Sequence, residues 1–436
     1  MIEEAVISAF PASWRKERLG NLTWVRARLG WKGLTADEYV DFGIPMLATP
    51  NIKGAHIDFA SANRITVQRY EESPEIKLRV GDALLTKDGS TIGIANVVRS
   101  LPSPATVNGS IAVLTPNDRL DSAYLLWLLR SSEYQALMRS WQDGMGVPHL
   151  FQSDIKRIPV ALPSTREQRA IADYLDRETA QIDAFIAKNE ELMTLLAERR
   201  AAATFRLATG LDITGVSPKP VSADWFRSVP QNWDVAPLYT MADTFAGGTP
   251  KSDVDEYWTD DDANGTEWIA IGDMRAVQAG HPHSGRRVSV AGMMAAGLTP
   301  QSGPMVLFAM YASVGEVAML HRTAVWNQAI LGIRANPSRL SERYLYWTLL
   351  ALRPKLGIYF RSNTQDNLNA AQVRGLRLPV PPLREQLAIA DQLEETWASV
   401  DGAIATAKRG IDLARERRAA LISAAVTGKI DVGAAA

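Results

Sequence analysis

The sequence predicts an α+β protein built twice, as two mixed domains that are each followed by one long helix. Three observations carry this. A segment reading REQRAIADYL…AERRAAATFRLATG, from Arg166 to Gly210, returns as REQLAIADQL…RERRAALISAAVTG, from Arg384 to Gly428. The offset is 218 residues at both ends, so the copies align without a gap. A repeat of this period that occurs only twice means duplicated halves and not a solenoid. The residues upstream of each copy also match at scattered positions, mostly apolar or turn residues, as a shared core requires.

Each copy reads as a helix. Neither contains proline, and Ala, Leu, Glu and Arg dominate, all strong helix formers. Pro163 precedes one copy, and Pro381 and Pro382 the other, while Gly210 and Gly428 stand where a helix stops. About 44 residues at 1.5 Å per residue give roughly 65 Å, too long for an ordinary globular element. Apolar residues follow a near-heptad seam: Ile171, Leu175, Ile182, Phe185, Leu192 and Leu196, with Glu178 and Asn189 in the same register. A buried Asn at such a position fixes register at a cost in stability. The second copy offers Ile389, Leu393, Val400, Ala403, Ala407, Gly410 and Ala414, a mostly small set facing a large one. This complementarity predicts that the two helices pack on each other; the alternative is that each lies on its own domain.

Composition narrows the function. The 436 residues suggest two to four domains, and 46% hydrophobic content is ordinary for a globular protein. No apolar run is long enough to span a bilayer, and MIEEAVISAF lacks the basic start of a secretory signal. The absence of cysteine excludes disulfides, Cys-ligated zinc and thiol catalysis, and fits a cytoplasmic protein. A net charge of −1 means that any nucleic-acid surface must come from local segregation of charge.

In chain order, a first mixed domain spans residues 1–163. Short apolar runs at Ile44–Ala48, Ala83–Thr86, Ile92–Val98 and Ser110–Leu114 predict strands, and Asp121–Arg130 predicts a helix. The first long helix occupies 164–212. Residues 213–228, rich in Pro, Ser and Gly, read as a linker. A second mixed domain follows at 229–381 and the second long helix at 382–432. The domains are distant repeats: Pro11 and Trp14 match Pro230 and Trp233, and Leu120, Tyr124, Leu125 and Trp127 match Leu340, Tyr344, Leu345 and Trp347. The segment Lys53–Lys77 has no alignable partner, so one fold is used with two different surfaces.

These features resemble the specificity (S) subunit of type I restriction-modification systems over the full length. The residues that carry the resemblance are the Pro-x-x-Trp openings, the Arg-Glu-Gln helix starts, the ERRAA and Thr-Gly helix ends, and GGTPKSDVDEYW at Gly247–Trp258 followed by Trp268. The resemblance implies target-recognition domains alternating with conserved helices. It implies double-stranded DNA as ligand, two methyltransferase (M) subunits and restriction/motor (R) subunits as partners, and no membrane. S-adenosylmethionine, ATP and Mg would all sit on those partners, with no cofactor on this chain, which would be non-catalytic.

The residues agree with a reader of DNA and not an enzyme. There is no GxxxxGK[ST] loop. His281 and His283 are spaced like metal ligands but lack a third, so no metal is expected. Between Trp14 and Lys32 stand Arg15, Lys16, Arg18, Arg26, Arg28 and Lys32, with Trp24 and Trp31 between them and Glu17 the sole acid. Clustered cations neutralise phosphates, and Arg pairs with guanine edges; the alternative is a strand edge protected by charge. In the second domain the candidates are Arg275, Arg286, Arg287, Arg322, Arg334 and Arg361. Asn363, Gln365 and Asn367, with the loop Asp143–His149, could supply base-edge donors and acceptors. Arg199, Arg200, Arg417 and Arg418, near the helix ends, either cap the helix dipole or meet a partner.

If the helices pair antiparallel, the two domains are related by a pseudo-two-fold axis, and two different readers at a fixed separation recognise a split sequence. The rival expectation is a coiled-coil scaffold or adaptor without DNA recognition.

Overall fold

The computed structural model describes residues 2–8, 10–28, 35–141, 148–211, 213, 215–261, 264–280, 285–360, 367–430 and 432. They fall into two compact units: Met1–Asn189 together with Lys408–Ala436, and Glu190–Ala407.

In the first unit a four-stranded antiparallel sheet runs in the order Thr23–Arg26, Ile111–Pro116, Ala83–Thr86, Ala95–Val97. A three-stranded sheet sets Ile44–Leu47 between Asn63–Ile65 and Thr106–Val107. Arg15–Arg18 pairs separately with Pro159–Leu162. The expected helix runs Ser122–Arg130, started by the Asp121 carboxylate, which accepts from the amides of Ala123 and Tyr124. Its buried face, Tyr124 to Leu129, packs with Val25, Leu85 and Leu114 of the four-stranded sheet.

The second unit repeats the strand order: Ala242–Ala246, Ile330–Ala335, Met305–Ala309, Val317–Leu320. Asp234–Pro237 pairs with Arg377–Val380, as Arg15–Arg18 pairs in the first unit. The helix Glu342–Leu352 takes the place of Ser122–Arg130. The stretch read as a linker is docked. Pro218–Pro220 pairs with Ser228–Pro230, and between them Trp225 and Phe226 are buried in the domain core. Its prolines stand in this strand pairing, and two aromatic side chains supply the burial that holds the segment down.

The long helices span Thr165–Thr209 and Leu383–Val426, 45 and 44 residues. Within each unit they run antiparallel. The core of the first unit contains Ile171, Ala172 and Leu175 from the start of one helix and Ile422, Ala425 and Val426 from the end of the other. In the second unit, Ala208 joins Ile389, Ala390 and Leu393. Each domain therefore packs both the start of the helix that follows it and the end of the other helix.

The duplicated motifs form one interlock, built in each unit by the same residues. Gln168 is fully buried. Its amide donates to the carbonyls of Pro163 and Arg119 at 3.0 and 2.9 Å and accepts from the Asp121 amide at 2.8 Å. Gln386 is equally buried and does the same with Pro381, Arg339 and Ser341. Beside them, Glu167 accepts from the Trp14 indole at 3.2 Å, and Glu385 from the Trp233 indole at 2.7 Å. Each indole also covers a helix end. Gly428 lies against Pro11 and Trp14, and Gly210 against Pro230 and Trp233, both with positive φ. A Cβ at Gly210 would stand 2.4 Å from the Pro230 ring, so glycine is needed for space as well as for conformation.

The seam holds where each helix packs on its own unit's core and lapses toward mid-helix. Leu175, Ile182, Leu393, Val400 and Ala407 are buried, and Phe185 lays its ring against Gly410. Leu196, Gly410 and Ala414 are half-buried, but Leu192 is 45% and Phe185 48% exposed, and Ala403 faces solvent. Ile411, outside the expected register, is buried instead. Asn189 is not a buried register residue: its amide donates to the Phe185 carbonyl of its own helix at 2.9 Å. A pair of helices alone covers only a narrow stripe of each, so full burial waits for a domain on the third side.

Candidate nucleic-acid interface

The basic cluster between Trp14 and Lys32 is divided by the fold. Arg15, Lys16 and Arg18 are exposed on the strand paired with Pro159–Leu162. Arg15 pairs with Glu17 at 2.9 Å, and Glu17 also binds Arg119 at 2.8 Å. These two arginines and the Asn21 amide hold the Glu17 carboxyl below its ordinary pKa, so it stays charged. Trp24 and Arg26 lie in a different sheet, on its outer strand.

Arg26 points inward, contrary to the sequence expectation. It is 3% exposed, its Nη2 is 2.8 Å from Asp82 and 2.6 Å from the Thr115 hydroxyl, and its Nη1 donates to the carbonyls of Glu75 and Lys77. Both Nη atoms are engaged inside the domain, and the Nε, which has no partner, is itself buried, so no donor of Arg26 reaches phosphate. Arg28 is half-buried, with its Nε unpartnered. Lys32, Arg361, Asn363 and Gln365 lie outside the described residues, as do His281 and His283; Asn367 is partly buried.

Trp24 itself is 55% exposed. The guanidinium of Arg26 stacks 4.5 Å from its ring, and that of Arg79 lies at 5.9 Å. Arg79, which sequence reading passed over, is exposed and stands beside the exposed Val80. No periodicity links residues 24 and 79; only the sheet brings them together. A second convergence joins two loops: the amide of Gly89 donates to the Pro148 carbonyl, and that of Leu150 to the Lys87 carbonyl. There His149 Nδ1 meets the Asp88 carboxylate, and its ring packs 4.6 Å from Phe151, which is 63% exposed.

In the second unit the Gly247–Trp258 motif folds around two tryptophans. The Trp268 indole donates to the Gly248 carbonyl and that of Trp258 to the Lys251 carbonyl, each at 2.9 Å, with the rings edge to face at 5.2 Å. Gly247 backs onto the Asn327 carbonyl, leaving no room for a Cβ. Arg286 is exposed and stacks 5.0 Å from Trp258. Arg322 is spent on a two-pronged pair with Glu267, both contacts 2.6 Å, which raises its pKa. Arg287 donates to the Gly265 carbonyl, Arg275 reaches Glu316 at 3.3 Å, and Arg334 donates to the Ser302 carbonyl and stacks on Phe245.

The four helix-end arginines divide as well. Arg200 pairs with Asp401, and Arg418 with Asp183 at 2.9 Å, each bridging the two long helices within one unit. Arg199 and Arg417 remain exposed. Among the described residues no three His, Asp or Glu side chains gather as a metal site would require, and no helix is long and apolar enough to cross a membrane.

Comparison with known proteins places this architecture. The family model described as the type I restriction modification DNA specificity domain matches residues 37–193 and again 230–401. A putative type I restriction enzyme MjaX specificity subunit from Methanocaldococcus jannaschii is 21% identical, covering 98% of this chain and 96% of its own. The StySPI specificity subunit of Salmonella potsdam is 20% identical over 90% of this chain and 83% of its own. A chain solved to explain complex assembly and conformational transition of the type I R-M system superposes with a TM-score of 0.70 at 18% identity, covering 97% of this chain and 99% of that one. The HsdS subunit of Thermoanaerobacter tengcongensis gives 0.54 at 19% identity, over 97% and 98%.

Proposed function

We propose, starting from the fact that this chain belongs to the type I restriction-modification DNA specificity family, that its two domains read the two halves of a split double-stranded DNA target. The observation that carries this is the repetition of one interlock under two different surfaces. Trp14, Glu167, Gln168 and Gly428 recur as Trp233, Glu385, Gln386 and Gly210, whereas the exposed Trp24–Arg79 pair of one unit and the Trp258–Arg286 pair of the other sit on unrelated segments. A shared frame with divergent faces is what two independent readers need.

In this reading the chain does no chemistry. It positions two methyltransferase subunits and the restriction subunits, which carry S-adenosylmethionine, ATP and Mg. Reaching a base for methylation within a duplex requires turning it out of the stack, a task of the partner. The exposed cations Arg15, Lys16, Arg18, Arg79 and Arg286 supply phosphate contacts, and polar loop residues such as Asn367 supply base contacts. The test is to replace residues 1–163 with the corresponding domain of another specificity subunit and sequence the methylome of a host carrying the assembled system. One half of the methylated motif changes and the other stays; a change in both halves, or in neither, overturns the reading.

A further inference from the structure

The second unit holds a cavity of about 390 Å³ where the end of the first long helix, the start of the second and the segment after Glu342–Leu352 come together. Its wall is apolar, formed by Phe205, Leu350, Pro354 and Trp397, and Ala201 and Ala202 leave it open. The aromatic walls are fixed in place. The Trp397 indole donates to the Thr204 hydroxyl at 2.9 Å and its ring lies 5.1 Å from Trp347; the Phe205 ring meets Trp225 edge-on at 6.1 Å.

Three cations line the same cavity. Arg200 is committed, stacked 4.0 Å over Trp397 and paired with Asp401. Arg353 and Lys355 are exposed, and among the described residues neither meets a carboxylate; the Lys355 ammonium stands 5.9 Å from the Phe205 ring. Side chains that hold an apolar recess open beneath two unneutralised cations complement a molecule with an apolar body and one negative group.

The other repeat lines the corresponding place with different side chains. At an offset of 218 residues Phe205 corresponds to Ser423 and Trp397 to Thr179; at the offset of 220 that relates Tyr124 to Tyr344, Arg353 corresponds to Glu133. There the Ser423 hydroxyl donates to Glu133, and the Thr179 hydroxyl to the Leu175 carbonyl of its own helix. Thr179 there helps to line a recess shared with Trp127, Arg130 and Arg418, in which the aromatic pair of Phe205 and Trp397 has no counterpart. A partner present in two copies, seated alike on both repeats, would not find this lining twice.

We propose that this cavity binds a small amphipathic anion, an aromatic or aliphatic body carrying one carboxylate, sulfonate or phosphate, its body between Phe205 and Trp397 and its charge on Arg353 and Lys355. A volume of this size lies within the range of small-ligand sites, roughly 300–1,000 Å³. The test uses the full chain and the probe 8-anilinonaphthalene-1-sulfonate, followed by fluorescence titration. Saturable binding of one probe per chain is expected. The double variant Arg353→Gln with Lys355→Gln should raise its Kd by about ten-fold or more. Ala201→Trp, which fills the recess, should abolish binding. The uncharged N-phenyl-1-naphthylamine should bind the wild type and the double variant alike. Sulfonate affinity unchanged in the double variant overturns the proposal, and so does binding that never saturates. The double variant alters only exposed side chains, so it stays decisive even if Ala201→Trp fails to fold.

Discussion

Arg200 binds Asp401 in one unit, and Arg418 binds Asp183 in the other, an ion pair repeated at an offset of 218 residues in both partners. The repetition shows which residues of ERRAA act between the helices: the second arginine of each copy, while Arg199 and Arg417 stay exposed. The two pairs differ in surroundings. Arg200 also stacks on Trp397. An exposed ion pair contributes about 0–1 kcal/mol, and a stacked guanidinium adds about 0.5–1 kcal/mol. Arg200→Ala should therefore destabilise more than Asp401→Ala, whereas Arg418→Ala and Asp183→Ala should cost nearly the same. Urea unfolding of the four single variants checks the inequality.

Gln168 and Gln386 each satisfy two carbonyls and one amide in a site closed to water. Replacing either with Ala leaves buried groups without partners, at about 1–3 kcal/mol for each group so orphaned. Gln168→Ala should loosen the first unit and Gln386→Ala the second. Hydrogen exchange mapped by mass spectrometry would show the faster amides confined to the unit carrying the change; a uniform effect would contradict this.

Gly210 and Gly81 both have positive φ, but a Cβ at Gly81 would meet nothing within 4 Å. Gly81→Ala thus reports the conformational cost alone, about 1–2 kcal/mol. Gly210→Ala adds the collision with Pro230 and should cost more, by about 1–3 kcal/mol. Thermal melts of the two variants measure the difference.

Arg26→Ala should act on stability and not on DNA contact, because it strands Asp82, which is fully buried, and removing one member of a buried pair costs about 3–5 kcal/mol. Arg79→Ala should leave the fold intact and weaken DNA binding by the assembled complex, lowering the slope of log K against log salt by about one if its guanidinium holds a phosphate. An unchanged slope would remove Arg79 from the interface.

Burial raises the pKa of the Tyr124 and Tyr344 hydroxyls well above the ordinary value near 10. A raised folded-state pKa favours the protonated form in the folded chain. Its stabilising effect is complete below about pH 10 and is lost as pH rises beyond it, because the unfolded chain then releases the proton first. Alkaline unfolding should begin above pH 10, with the buried phenolates appearing in ultraviolet absorbance only as circular dichroism is lost.

Much of the frame was legible in the sequence because repetition is visible without a structure. Ala83–Thr86 is the expected strand, Asp121 starts the expected helix, and the paired motifs at Trp14 and Trp233 do share one role. The individual cations were not legible. The fate of Arg26 depends on Asp82 and Thr115, 56 and 89 residues away. In the second unit the equivalent exchange is inverted: Phe245 stands on the outer strand and Arg334 on its neighbour, stacked at 4.9 Å. Charge in the sequence says that a cation exists; only the sheet decides whether it points to water or to a buried acid. The same holds for the helix seam, where Ile404 and Ile411 are more enclosed than the expected Ala403 and Gly410, and Asn189 bonds its own helix.

The interlock at Gly428 bears on the order in which the chain can be completed during synthesis. The second unit is one uninterrupted stretch, Glu190–Ala407, and can close once that stretch has left the ribosome. The first unit cannot, since Trp14 and the neighbouring core wait for Ile422, Val426 and Gly428, which are translated after the whole of the other unit. The domain made first is thus finished last, and for most of translation it must persist with one flank of its core open. A stop placed just before Ile422 would leave that flank permanently uncovered, while every residue of the other unit would already be in place.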